Sequence, residues 1–339
     1  MKLNLLLIIF TFISTLAFSQ ITVTKATFPQ PGDTLITATD NLPADISVGD
    51  PGADQTWDFS SLQAPFLRTS IIRPASSGEN ASAFLGANIV TTLGLGDTDP
   101  GESYYLSSNT KYEFLGYTGM DPAGLGIPLL VKFKPSITER RAPMNYGDTN
   151  TDQTEAVIPF SADELPSQIL DSLPIRPDSL RLRMTINRSD KVDAWGKMII
   201  PGEGQGETYE VLREKRVEIR EISLDVKVSI LPWQDITSIL PPDLPLFGKD
   251  TITSYYFFSN EAKEPIAIVA MNELGDGSSR VEFKANKFTS SISHIRKGRP
   301  NVFAYPNPAI TDVRFEFTGV APSNYSLKIY NILGVEVWR

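Results

Sequence analysis

The sequence contains no cysteine and only one histidine, His294, in its 339 residues. Without cysteine there can be no disulfide bond, iron–sulfur cluster, thiolate zinc site or cysteine nucleophile. A metal site built from several histidines is excluded too, and a serine–histidine–carboxylate triad would have to use His294. That residue lies in a polar, serine-rich stretch, so we expect a surface side chain rather than a general base.

Positive charge is also scarce, with 31 basic against 40 acidic residues and a formal net charge of −9. Nucleic-acid binding depends on Lys and Arg that neutralise phosphates, so we expect no nucleic-acid partner. The hydrophobic fraction of 41%, with 10% aromatic residues, is that of a folded protein rather than a disordered one.

After the first 19 residues the sequence has no long apolar run. Lys2 and the apolar residues 5–18 are typical of a secretory signal peptide, which we assign to residues 1–19. The small residues Ala17 and Ser19 predict cleavage between Ser19 and Gln20. No later segment has 18 uninterrupted apolar residues, so we expect no transmembrane segment in the mature chain.

Residues 20–288 are poor in helix signals, and we interpret them as a β-rich body. The 25 prolines and 23 glycines supply many turns, which favours an all-β fold, with a β-sandwich as the simplest architecture. The body forms one large domain or two, with a possible boundary at the polar residues 143–155. Residues 289–300 predict a linker to a separate C-terminal segment, residues 301–339.

Alternating apolar residues predict individual strands. Residues 180–186 and 222–230 each follow a period of two. Val217 and Ile219 lie on the opposite phase from residues 222–230, which predicts a bulge or a strand break near Glu221. The charged run 213–220 mixes both signs, and we interpret it as a solvated strand face. Three further strands with the spacing of a meander are predicted at residues 255–258, 266–269 and 280–284.

Calcium is the one cofactor for which the sequence offers a candidate. Asp148, Asn150 and Asp152 place side-chain oxygens at alternate positions, as a loop around a hard cation does. The segment is not an EF-hand, because Gln153 stands where that loop needs glycine and Pro159 where it needs glutamate. A polar turn explains the same residues, and we prefer that interpretation.

The enzyme class most compatible with the composition is a glycoside hydrolase acting through two carboxylates on extracellular polysaccharide, since it needs neither histidine nor cysteine. No motif selects a pair among the 40 acidic residues, so the catalytic residues are unknown. Aromatic side chains offer a second route to sugar binding by stacking, but burial in a β core is the commoner role. The candidates for stacking are Trp57, Trp195, Trp233, Tyr104 and Tyr105.

The C-terminal segment carries the most specific motif. Pro306 and Pro308 enclose Asn307 in a rigid turn after Tyr305, and residues 313–317 then alternate as on a half-buried strand. A second turn at Gly334 separates two further apolar stretches. This set, at the end of a chain with a signal peptide, resembles the C-terminal sorting domain of type IX secretion cargo from Bacteroidetes-type bacteria.

The resemblance implies export through the periplasm and across the outer membrane, with the type IX machinery as a partner and the cargo either released or anchored at the cell surface. Family members continue with further strands, so the likeness covers about the first half of the sorting domain. If Arg339 is the natural C-terminus, we expect secretion to fail. Residues 52–60 and 193–201 are similar to segments of uncharacterised secreted Bacteroidetes proteins and bring no known activity.

These signals lead to one expectation and one alternative. We expect a secreted or cell-surface protein whose body is a non-catalytic binding or structural β-sandwich, with an extracellular glycan or a surface protein as a possible partner. The alternative is the glycoside hydrolase with two carboxylates. The sequence leaves the ligand and the oligomeric state open.

Overall fold

The chain folds almost entirely into β-strands. The computed structural model describes residues 20–44, 46–64, 66–92, 101–120, 128–162, 177–202, 206–228, 231–239, 247–285, 301–305, 314–318, 329–330 and 336–338. Within these residues helix is limited to single 3-10 turns, at Lys25–Thr27, Ala75–Ser77, Ala81–Ala83 and Thr237–Ile239. The all-β prediction is confirmed.

The strands of the described residues are numbered in chain order. They are β1 (Thr34–Asp40), β2 (Gly52–Asp58), β3 (Phe66–Ile71), β4 (Arg73–Pro74), β5 (Ile89–Thr92), β6 (Glu102–Ser107), β7 (Lys111–Met120), β8 (Pro128–Arg141), β9 (Thr149–Ser161), β10 (Ser179–Ile200), β11 (Glu207–Lys227), β12 (Gln234–Asp235), β13 (Gly248–Phe258), β14 (Ala267–Met271), β15 (Ser278–Lys284), β16 (Asn301–Tyr305), β17 (Arg314–Thr318), β18 (Ile329–Tyr330) and β19 (Glu336–Trp338).

Strands β1 to β15 form one large sheet. Its order is β3-β1-β15-β14-β13-β11-β10-β9-β8-β7-β6-β5-β4, with β12 added to β11 and β2 added to β10. Neighbours are antiparallel except β2, which runs parallel to β10. The two end strands, β3 and β4, are joined through Ile72, so the sheet nearly closes on itself. Its division into the two layers of a sandwich stays a prediction.

The hairpin of β10 and β11 forms the centre of this sheet. Its strands contain 22 and 21 residues and stay paired from Ser179–Lys227 to Ile200–Glu207. The register shifts between Val192 and Ala194, whereas Glu221 pairs regularly with Thr185. The bulge predicted near Glu221 is therefore wrong.

The phase change has a different cause, because two hydrophobic clusters contact opposite faces of β11. One cluster includes the odd-numbered Tyr209 and Val211, together with Trp57 and Phe257. The other includes the even-numbered Leu224 and Val226. Successive residues of a strand point to opposite faces, so the apolar positions change phase while the backbone stays regular.

Aromatic side chains contribute to several of these clusters. Trp57 is 3% exposed and meets Phe257 edge-to-face at 5.0 Å between ring centroids. Tyr104 is fully buried and stacks on Phe84 at 4.3 Å. The core interpretation of Trp57 and Tyr104 is confirmed, and stacking with an external sugar at these two rings is excluded by their burial.

The predicted strands of the body are present. Residues 255–258 form the end of β13, which begins earlier, at Gly248. The other predicted segments lie in β10, β11, β14 and β15, with shifts of a few residues at their ends. Residues 143–155 comprise a turn and the first half of β9.

The C-terminal segment contains two small antiparallel pairs, β16 with β17 and β18 with β19. The strand predicted at residues 313–317 corresponds to β17. Several predicted features lie outside the described residues: the signal peptide 1–19 with Ser19, the linker 289–300 with His294, and Pro306, Asn307, Pro308, Gly334 and Arg339. Among the residues the structure does describe, no helix is long and apolar enough to span a membrane.

Candidate ligand-binding cleft

A cleft of about 260 Å³ lies between the β8–β9 connection and the β10–β11 hairpin. Its lining combines apolar residues with charged or polar ones. The apolar residues are Pro143, Met144 and Val192. The charged or polar residues are Arg141, Asp148, Thr149, Asn150 and Glu214.

The β8–β9 connection is fixed in place by backbone hydrogen bonds to the bulge of β10. The amide of Gly147 donates to the carbonyl of Val192 at 2.8 Å, and the amide of Val192 donates to the carbonyl of Asp148 at 2.9 Å. Met144 exchanges a pair of backbone bonds with Val23. The cleft is thus bounded by backbone that is tied to the central hairpin.

Glu214 is the most deeply buried charged residue lining the cleft, with 4% of its surface exposed. It lies on β11, opposite Val192 of β10. Its Oε1 atom accepts a hydrogen bond from Nη2 of Arg216 at 2.9 Å. Burial raises the pKa of the Glu214 carboxyl, and the Arg216 cation opposes that rise.

A buried ionic network holds Glu214 in place. Arg216 donates from Nε to Oδ1 of Asp190 at 3.2 Å and from Nη1 to Oε2 of Glu139 at 3.2 Å. Its guanidinium also lies 4.1 Å from the centre of the Tyr256 ring. Because several groups compensate the Arg216 charge, the network can be buried, and Glu214 is held in one position.

The run 213–220 is consequently not the solvated strand face that the sequence predicted. Arg213, Glu214 and Arg216 are 0%, 4% and 2% exposed. Arg213 donates from Nε to Oδ1 of Asp193 at 2.8 Å. Each buried charge has a partner of opposite sign, which offsets the cost of removing it from water.

Arg141 lines the cleft from the last position of β8. Its Nη2 atom pairs with Oδ2 of Asp152 at 2.5 Å. Its Nε atom is buried and has no hydrogen-bond partner. One edge of this guanidinium is therefore satisfied by the protein, whereas the Nε–H donor is not.

The three calcium candidates do not form a loop. Asn150 and Asp152 lie on strand β9, and Asp152 is paired with Arg141. Asp148 precedes the strand, and its Oδ2 atom accepts a hydrogen bond from the amide of Asn145 at 2.8 Å. Over the described part of the chain no group of three or more His, Cys, Asp or Glu is placed to hold a metal. Calcium binding here stays a prediction from the sequence.

Glu102 is a second buried carboxylate, and groups of the protein donate hydrogen bonds to both of its oxygens. Its oxygens accept hydrogen bonds from the amides of Glu79 and Asn80, both at 3.1 Å, and from the Tyr104 hydroxyl at 2.5 Å. Burial alone would raise the pKa of Glu102, but these hydrogen bonds lower it overall. Glu102 has a structural role, which leaves Glu214 as the stronger candidate for a ligand contact.

The remaining sequence-predicted positions are dispersed. Tyr305 ends β16, and Gln20 is an exposed residue at the start of the described chain. Sequence reasoning singled out Asp148 and Asn150 but missed Glu214 and Arg141. Glu214 closely follows the apolar residues Val211 and Leu212 on a long strand. That position was the signal that could have indicated its burial.

The fold and the cleft together define an all-β protein with a polar, partly buried cleft beside its central hairpin. The chain matches no protein-family model, no curated protein and no solved structure. A functional proposal therefore depends on the sequence signals and on the chemistry of the cleft.

Proposed function

We propose that this chain is a secreted or cell-surface cargo of the type IX secretion system whose body is a non-catalytic binding protein. The export part of the proposal is supported by the signal peptide at residues 1–19 and by the motif around Tyr305 to Pro308. The type IX machinery is its partner during export. An extracellular glycan or a surface protein is the partner at its destination.

The binding part rests on one observation, the buried carboxylate of Glu214 among the residues that line the cleft. Arg216 donates a hydrogen bond to its Oε1 atom. A carboxylate accepts more than one hydrogen bond, so a ligand that donates one to Glu214 gains affinity. The ionic network keeps this acceptor in a fixed position, which favours recognition.

The experiment is an incubation of the purified protein with a panel of insoluble polysaccharides and with immobilised surface proteins. Retained protein and released reducing ends are measured in the same samples. We expect retention without release. Release of reducing ends would contradict the non-catalytic proposal, and absence of retention on every material would contradict the binding proposal.

A glycoside hydrolase is the second candidate, because two carboxylates, Asp148 and Glu214, line the same cleft. The raised pKa of Glu214 is the property required of a general acid in such enzymes. Against this role, the contact with Arg216 stabilises the charged form of Glu214. If the chain is a hydrolase, Glu214→Gln and Asp148→Asn each abolish release of reducing ends while circular dichroism shows an intact fold.

A further inference from the structure

Four neighbouring strands of the sheet, β9, β10, β11 and β13, share a patch without charged residues on one side. Two adjacent rows of paired residues cross these strands. The first row contains Thr151, Ser189, Val217 and Thr253, and the second contains Gln153, Asn187, Ile219 and Thr251. We call these eight residues the uncharged patch. None of them lines the cleft.

The two sides of these strands have different surroundings. Successive residues of a strand point to opposite sides, and Arg188, Asp190 and Arg216, on the side away from the patch, are 5%, 4% and 2% exposed. On the patch side the residues of β9 and β10 and Thr251 are exposed, whereas Thr253 and the residues of β11 are half-buried. The uncharged patch is therefore a solvent-facing surface on strands whose other side is fixed by the buried ionic network.

The polar side chains of the patch are available to an external partner. Six of the eight residues carry a hydroxyl or an amide group: Thr151, Gln153, Asn187, Ser189, Thr251 and Thr253. Within the described part of the chain, none of these side chains makes a hydrogen bond to the protein. Their donors and acceptors can therefore bond to a ligand without breaking contacts inside the fold.

The chemistry of the patch favours a neutral partner that is rich in hydroxyl groups. Hydroxyl and amide groups both donate and accept, as the hydroxyls of a sugar do. A charged polymer would lose water from its charges and find no opposite charge on the patch. Charges of both signs stand in the rows on either side, so the rim favours neither sign; they are Lys191 and Lys215 in one row and Glu155, Glu221 and Lys249 in the other.

Strand β11 adds an apolar strip through the patch. Val217 and Ile219 lie between the polar residues of β10 and β13. The C–H groups of a sugar ring can pack on this strip while the hydroxyls at the ring edge bond to the flanking side chains. At the usual strand spacing of about 4.8 Å, the four strands span about 14 Å, so the patch can contact more than one ring of a chain.

We propose that the uncharged patch binds an extended, neutral glycan chain. Its rings lie against Val217 and Ile219, and its hydroxyls bond to the flanking Thr, Ser, Asn and Gln side chains. This inference rests on the proposed function, in which an extracellular glycan is one of the partners, and it specifies the class of glycan and a contact surface separate from the cleft.

The test is a depletion assay of the full chain on cellulose, chitin and curdlan, three insoluble neutral polysaccharides. Beads of carboxymethylcellulose are the anionic comparison, because they share the cellulose backbone. Bound protein is measured over a series of protein concentrations at constant ionic strength, and released reducing ends are measured in the same samples. We expect saturable retention on at least one neutral polymer and at least tenfold weaker retention on carboxymethylcellulose.

A first pair of variants adds a charge without changing the shape of the side chain. Asn187→Asp places a carboxylate in the second row of the patch, and Asn41→Asp is the control at an exposed asparagine after β1. Because the added carboxylate would be desolvated by a neutral chain, we expect at least tenfold weaker retention of Asn187→Asp and unchanged retention of Asn41→Asp.

A second pair removes a hydroxyl without adding charge. Thr151→Val acts on the patch, and Thr208→Val is the control at an exposed threonine of β11 outside it. We expect at least twofold weaker retention of Thr151→Val, the loss of about one hydrogen bond, and none for Thr208→Val. Stronger retention of Thr151→Val would mean that apolar contact alone holds the glycan. Circular dichroism verifies the fold of all four variants.

The outcomes distinguish this inference from the function on which it rests. Retention that survives both patch variants would place the glycan on another surface and overturn the inference while leaving a binding protein. Stronger retention on carboxymethylcellulose, or no retention on any neutral polymer, would also overturn it. Retention on an immobilised surface protein would then still support the proposed function, whereas release of reducing ends would contradict that function itself.

Discussion

Arg216 shows how a single residue can determine the stability of the centre of the sheet. Its guanidinium bonds to Asp190, Glu139 and Glu214, and it is 2% exposed. Burial alone would lower the pKa of Arg216, but Tyr256 and the surrounding carboxylates raise it well above its usual range. The residue stays charged, and its partners depend on that charge.

Replacing Arg216 with Gln should leave the buried carboxylate of Glu214 without its cation and remove one of the two arginines that pair with the buried Asp190. We expect the free energy of unfolding to fall by about 3–5 kcal/mol, as when one partner of a buried ion pair is removed. The matched control is Arg220→Gln on the same strand, whose side chain is 43% exposed and whose loss should cost at most about 1 kcal/mol. Urea unfolding measures both, and equal losses would contradict a special role for Arg216.

Asp225 gives the protein a predictable response to acid. Burial alone would raise the pKa of Asp225, but hydrogen bonds from Arg183 and Arg181, at 2.7 to 3.0 Å, lower it overall. Because the folded-state pKa lies below the unfolded value of about 3.9, this carboxylate stabilises the fold above that pH. The contribution is lost as the pH falls through the lower, folded-state pKa.

We therefore expect Asp225→Asn to be less stable than the wild type by about 1.5–3 kcal/mol at pH 7, the usual value of hydrogen bonds to a charged group. The difference should shrink below about pH 4 as Asp225 becomes protonated in the wild type. Urea midpoints at pH 7 and pH 3 test this. A difference that stays constant between the two pH values would show that the carboxylate charge does not matter.

Among the elements, strand β2 makes an unusually close approach to β10. A side chain at Gly196 would overlap the carbonyl oxygen of Gln55, and its Cβ would lie 2.5 Å from the Gln55 amide nitrogen. The parallel pairing of β2 with β10 therefore requires glycine at this position. β2 also carries Trp57, which packs against Phe257 in the core.

Gly196→Ala should displace β2 from β10 and destabilise the protein by about 1–3 kcal/mol, the typical cost of overpacking. Because β2 carries Trp57 into the core, its fluorescence should shift to longer wavelength as the ring becomes solvated. Gly277→Ala is the control, since its nearest neighbour is a side-chain amide of Asn272 that can move. An unchanged emission spectrum in Gly196→Ala would contradict the role of this contact.

For single strands, the sequence predicted their positions better than the burial of their residues, and the reasons are physical. The alternation in β15 and in the first part of β10 indicated strands because one face of each carries mostly apolar residues, whereas β14 was indicated by a short apolar run between turns. In β11 both faces are buried. Arg213 and Glu214 are each buried in an ion pair with another residue, so a charged residue on this strand does not indicate a solvent-exposed face. The candidate cleft was missed for the same reason, although Asp148 and Asn150, which line it, had been considered as calcium ligands.

At the scale of the whole molecule, the order of the strands could not be read from the sequence. β1 pairs with β15, from the other end of the body, and the sheet ends at β3 and β4, which are neighbours along the chain. Periodicity reports which face of a strand is buried but not which distant strand lies beside it. The cleft depends on such pairings, because Arg141 and Glu214 come from different strands.

The central proposal is that this chain acts outside the cell, and the most direct test is to locate its mature form. The cells that make it are fractionated, and the N-terminus of the purified protein is determined by mass spectrometry. We predict a chain that begins at Gln20 at the outer surface or in the medium, and retention in the periplasm when residues 301–339 are deleted. A full-length chain in the cytoplasm that still carries residues 1–19 would contradict the account.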